Sequence, residues 1–100
     1  MGQLFLFNAT ISDKFQAFHE ENPHVYAELV SLARKARTKR PNQKIGIGML
    51  YEVLRWNVYL RTHGDEWKLN NNWRSRYARL IEEREPDLRH AFETRELRSD

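Results

Sequence analysis

The chain of 100 residues has no cysteine, four glycines, three prolines and no apolar run longer than Leu4–Phe7. The missing cysteine excludes a disulfide scaffold, a thiolate zinc site and a cysteine nucleophile. Leu4–Phe7 is too short to span a bilayer, and nothing around it has the charged start and length of a signal peptide, so a soluble intracellular protein is expected. Glycine is too scarce for a phosphate-cradling loop: Gly46 and Gly48 lack the further Gly, or the Gly with Lys and Ser/Thr, that such loops require. Two long stretches also lack acids. Residues 29–44 hold Arg34, Lys35, Arg37, Lys39, Arg40 and Lys44, and residues 67–81 hold Lys68, Arg74, Arg76 and Arg79. By contrast residues 1–28 set Lys14 against Asp13, Glu20, Glu21 and Glu28. Two basic islands in a chain of net charge +3 suit a polyanionic partner, and they equally suit a solvated surface.

What is present is a generous core supply. Hydrophobic residues make up 40 % of the chain and aromatics 12 %, enough for one core in 100 residues and too little for two domains. Thr10–Asp13 leads into a short helix, with Ser12 as its expected N-cap and Phe15 and Phe18 on one face. Asn22-Pro23 ends that helix and starts another, Asn22 acting as cap and Pro23 supplying a preset φ at the first position. From Pro23 to about Arg37, Val25, Tyr26, Leu29, Leu32, Ala33 and Ala36 form one stripe, opposite Ala27, Ser31, Arg34 and Lys35. A basic turn over Thr38–Lys44 follows.

From Ile47 to Arg61 the pattern predicts a helix with Met49, Leu50, Val53, Leu54, Trp56 and Leu60 inward. Tyr51, Glu52, Arg55 and Tyr59 are then outward. Thr62-His63-Gly64 reads as its end. Asn70 is placed to cap a helix over Asn71–Arg84 with the stripe Trp73, Tyr77, Leu80 and Ile81, and Glu85-Pro86-Asp87 breaks it. Leu88–Phe92 is expected to add a last turn. The fold class expected is all-α: one domain over 1–100, a compact bundle of four to five helices with a helix-turn-helix-like pair. Residues 1–10 and 93–100 are left as irregular, with room for a small β element from Leu4–Phe7 or Phe92–Leu97.

Catalysis finds no support. His19, His24, His63 and His90 lie in four segments without paired ligand spacing, so neither a metal nor another cofactor is expected. No serine has a nucleophile-elbow context. The informative stretch is 68–79. On a helical wheel Asn71, Asn72, Ser75 and Arg79 face outward with Arg76 at the edge, and Arg74 lies in the same two turns. Amides, guanidinium groups and a hydroxyl are the side chains that read base edges, and a helix N-terminus suits a phosphate. With helix 47–61 before it, this segment is like the second helix of a helix-turn-helix, although the connection is longer than the usual turn and carries Asp65 and Glu66. Lys39, Arg40 and Lys44 are the candidates for flanking phosphates. The competing reading has the arginines solvated or paired with Glu82 and Glu83. A second candidate surface is the stripe Tyr51, Arg55 and Tyr59, of residue types enriched at protein interfaces, unless Phe5, Phe7 or Phe92 packs over it.

The strings Asn22-Pro23-His24-Val25, Lys44-Ile45-Gly46-Ile47-Gly48-Met49-Leu50, Glu52-Val53-Leu54-Arg55-Trp56, Lys68-Leu69-Asn70-Asn71-Asn72, Ser75-Arg76-Tyr77-Ala78-Arg79-Leu80, Glu85-Pro86-Asp87-Leu88 and Phe92-Glu93-Thr94-Arg95-Glu96-Leu97 resemble a family of small bacteriophage and prophage proteins. The resemblance runs over roughly residues 15–98 and carries no binding or catalytic residue across. It implies work in a bacterial host cytoplasm, and two kinds of job. One is binding double-stranded DNA as a regulator, the leading expectation. The other is binding and inhibiting a host or defence protein. A homodimer is compatible with either.

Overall fold

The computed structural model describes residues 10–61 and 69–93. Within them lie four α-helices: α1 (Ile11–Glu21), α2 (Pro23–Lys39), α3 (Ile47–Arg61) and α4 (Arg74–Arg84). Short 3-10 turns, Asn71–Trp73 and Pro86–Leu88, flank α4. The chain is all-α, and none of the described helices is long and apolar enough to cross a membrane.

Local chemistry sets the helix ends. Thr10, not Ser12, caps α1: its hydroxyl accepts the Asp13 amide while the Asp13 carboxylate accepts the Thr10 amide. This reciprocal box needs an acid three residues after the cap, and Ser12 is followed at that spacing by Phe15. Asn22 makes no side-chain cap for α2 and instead closes α1, its backbone and side-chain N–H groups both donating to the Phe18 carbonyl. Asn70 caps the 3-10 turn that opens into α4, accepting the Asn72 amide at 2.8 Å.

Val25, Leu29, Val30 and Ala33 of α2, Leu50, Tyr51, Leu54 and Val58 of α3, and Tyr77, Ala78 and Ile81 of α4 meet in one core. Phe15 and His19 of α1 cover one end of it, and Trp73 wedges against Phe18 with ring centroids 4.4 Å apart. The last segment departs from expectation. Pro86 starts a 3-10 turn that is over by Leu88, His90 adopts a left-handed φ of 62°, and Phe92 makes an isolated parallel bridge to Ile45. The bridge rests on Ile45 N–H to the Ala91 carbonyl and Glu93 N–H to the Ile45 carbonyl. Of the β element anticipated at the ends, this single bridge is what the described residues contain; Leu4–Phe7 and residues 94–97 lie outside them.

Helix α3 is rotated from the expected orientation. Tyr51 is fully buried, whereas Met49, Val53, Trp56, Tyr59 and Leu60 are exposed. Apolar side chains surround this helix, so periodicity alone cannot orient it. Polar bonds decide instead: the Tyr51 hydroxyl donates to the Asn70 carbonyl, and Arg55 donates to the Leu69 carbonyl and to Asn71 Oδ1. Ion pairs tie the ends of the bundle, Arg61 to Glu28 between α3 and α2, and Arg34 of α2 to both Glu85 and Asp87 at the corner after α4.

Candidate nucleic-acid interface

Helix α4 and the 3-10 turn before it are held against α1 by three side chains. Trp73 packs on Phe15 and Phe18, and Tyr77 sits edge-on to Phe15 at 4.7 Å between centroids. From the solvent side Arg76 reaches to the Ser12 hydroxyl of α1 at 2.6 Å. These contacts fix which edge of α4 faces outward. Asn71, Asn72, Arg74 and Arg79 are exposed, and Ser75 and Arg76 are half-buried.

The expected site residues divide into committed and available groups. Asn71 accepts from Arg55 through its side-chain oxygen, Arg76 bridges to α1, and Lys44 Nζ donates to the His90 carbonyl at 2.6 Å. Among the described residues Arg74 hydrogen-bonds through its Nε to the Asn71 carbonyl, with its guanidinium tip beside Gly48. Arg79 makes no ion pair or hydrogen bond with any described residue. Pairing with Glu82, one option for Arg79, does not occur; the Glu82 carboxylate turns to the other end of the cleft and accepts the Phe92 amide.

Arg79 stands on a ridge between two depressions. On one side a cleft of about 440 Å³ runs between the Gly46–Gly48 backbone and Arg74, Ser75 and Arg79, with Glu82 and Glu93 at its far end. On the other, a shallower hollow lies between α1 and the Arg76–Arg79 edge. The first cleft therefore has a cationic, hydroxyl-bearing end and an acidic end, and an anion is favoured only at the former. Lys39 belongs elsewhere, on a shallow groove along α2 with Arg34 and Lys35, while Arg40 is exposed at the helix end. The expected helix-turn-helix-like pair is present to the extent that α3 and α4 pack together. Nine residues separate Arg61 from Asn71, and residues 62–68, with Asp65, Glu66 and Lys68, lie outside the described set.

The stripe Tyr51–Arg55–Tyr59 does not exist as a surface. Tyr51 is 0 % exposed under the α3–α4 contact, and burial pushes its hydroxyl pKa up to about 12. Arg55 is half-buried over the Tyr51 ring, and Tyr59 faces solvent stacked on Trp56. Sequence periodicity missed the surface that α3 does present, Met49, Val53, Trp56 and Leu60; their spacing was visible, but the same helix offered a second apolar stripe of equal weight. Among the described residues no three of His, Cys, Asp and Glu lie close enough to hold a metal.

No family model, curated protein or solved structure matches the chain.

Proposed function

We propose that the protein is a non-enzymatic DNA-binding module of phage type, acting in a bacterial host cytoplasm, with α4 as the element presented to the duplex. The observation that carries the reading is Arg79: an exposed guanidinium on a ridge, without an acid partner among the described residues. An arginine kept solvated in this way is available for a phosphate or a guanine edge. Asn72, exposed in the 3-10 turn that leads into α4, has the amide geometry that pairs with adenine. Arg74 and Ser75 extend the polar edge, and Lys39 and Arg40, at the end of α2 away from that edge, are the candidates for more distant phosphates. Asn71, Arg76 and Lys44 position these elements instead, because their polar atoms are already engaged within the fold.

The alternative, a phage protein that inhibits a host or defence protein, would use the basic islands or the Tyr51–Arg55–Tyr59 stripe; burial of Tyr51 takes away the stripe and leaves it the islands. Titration of a labelled random-sequence duplex at several salt concentrations tests the DNA reading. Expected is a dissociation constant below about 10⁻⁴ M at physiological salt that weakens steadily as salt rises. The double variant Lys39→Ala/Arg40→Ala should flatten the logarithmic salt slope by about two units, with equal loss for all sequences. Absence of salt-dependent binding by the parent chain overturns the proposal.

A further inference from the structure

The side of α3 turned away from the core carries Met49, Val53, Trp56 and Leu60, exposed to 59, 39, 59 and 59 %. They are spaced by four, three and four residues, the d-a-d-a seam of two heptads, which is narrower than a core-facing stripe and suited to one facing helix. Tyr59 flanks the seam at 67 % exposure and stacks on Trp56. A contiguous apolar face of this kind on a small domain marks a surface that another element covers.

We propose that the occupant is a second copy of this chain, with the two α3 helices antiparallel about a twofold axis passing between Val53 and Trp56. Three features favour self-pairing. The first is size: in this register the small Val53 lies opposite the large Trp56 of the partner subunit, Met49 lies opposite Leu60 of the partner subunit with matched volumes, and both protomers use the same patch, as a twofold interface requires. The second is charge. No ionisable residue lies in the seam, the flanking Glu52 already pairs with Arg55, and Glu52 meets Tyr59 of the partner subunit rather than another carboxylate; antiparallel helices also oppose their dipoles. The third is area. At the observed exposures the five residues offer roughly 600 Å² per copy, so complete burial in a symmetric pair would remove about 1,200 Å² and sets the upper limit, at the small end of specific interfaces. This inference does not rest on DNA binding.

Sedimentation or light scattering of the full chain over a wide concentration range, alongside Val53→Glu and Trp56→Glu, tests the pairing. The expected result is a dimer for the parent chain and at least tenfold weaker self-association for each variant, with unchanged far-ultraviolet circular dichroism because both side chains are solvent-facing. Since the chain has no native cysteine, register is read separately by oxidising a mixture of Met49→Cys and Leu60→Cys chains. Antiparallel pairing gives the mixed disulfide in preference to either homodisulfide. A parent chain that stays monomeric throughout overturns the proposal and leaves the face to a different occupant. So does a dimer that survives both glutamate variants, or a preference for the Met49→Cys homodisulfide.

Discussion

On α3 the side turned to solvent carries Met49, Val53, Trp56 and Leu60, whereas on α4 it carries Arg74, Arg79 and Glu83, with Asn72 exposed in the 3-10 turn before it. The two helices are neighbours, and each sends one fully buried tyrosine into their shared seam, Tyr51 and Tyr77, with ring centroids 6.4 Å apart. The core side of both helices is thus alike, and the outer sides differ in kind. An apolar outer face gains by excluding water from a second surface, and a polar one gains only where a partner offers matching charge or hydrogen bonds. The two faces therefore differ in the partner each is proposed to meet, a second copy on α3 and a polyanion on α4.

The sharpest way to break the comparison is to show that the two sides of α3 count equally for folding. Leu54→Ala, at a fully buried position, should cost about 2–5 kcal/mol in thermal or denaturant unfolding. Trp56→Ala removes a larger side chain from the outer face. Measured at concentrations dilute enough to keep the chain monomeric, it should change stability by no more than about 0.5 kcal/mol. Comparable losses would mean that the outer face is covered within one chain.

The paired tyrosines sharpen the inner half of the comparison. Tyr51 donates its hydroxyl to the Asn70 carbonyl, while the buried Tyr77 hydroxyl has no partner among the described residues. Tyr51→Phe should therefore cost about 0.5–1.5 kcal/mol, and Tyr77→Phe should be neutral or stabilising. Equal losses would show that both hydroxyls are bonded in solution.

Acid distinguishes the α1–α4 contact in a smaller way. His19 is buried beside Phe15, Tyr26 and Tyr77; burial, and then the Arg84 guanidinium, lower its pKa against an opposing pull from Glu20. A histidine whose folded pKa is depressed contributes its full stability above the unfolded value of about 6.5 and loses it as pH falls from there through the lower folded value. The melting temperature should therefore decline below about pH 6.5, and His19→Phe should decline less over that interval. Asp87, its pKa lowered chiefly by the hydrogen bond from Arg34, adds a second loss only at more acid pH, present in both proteins. Superimposable pH profiles would place the histidine in contact with water.

The uneven legibility of the sequence has the same physical origin. Helices α2 and α4 each have one apolar side, so Val25, Leu29 and Ala33, and Tyr77 and Ile81, fall inside as their spacing requires. On α3 spacing offered two stripes, and the choice rests on Tyr51 with Asn70 and Arg55 with Asn71, bonds between residues 16 to 19 apart. The Thr10 cap was readable from Asp13 three residues on. The contacts of Arg34 with Glu85 and Asp87, and of Arg76 with Ser12, join residues more than fifty apart, and no local pattern encodes them. At the candidate site, exposure of Asn72 and Arg79 followed from the wheel, whereas engagement of Asn71, Arg76 and Lys44 did not, because each bonds to a segment distant in sequence.

One paired measurement bears on the role of α4 most directly: duplex-DNA affinity across salt and melting temperature, for the parent chain and Arg79→Ala. If Arg79 is a contact residue, the variant keeps its melting temperature, binds DNA more weakly, and shows a salt slope reduced by about one unit. If Arg79→Ala lowers the melting temperature while affinity and slope stay unchanged, Arg79 serves the fold and α4 is not the surface that meets DNA.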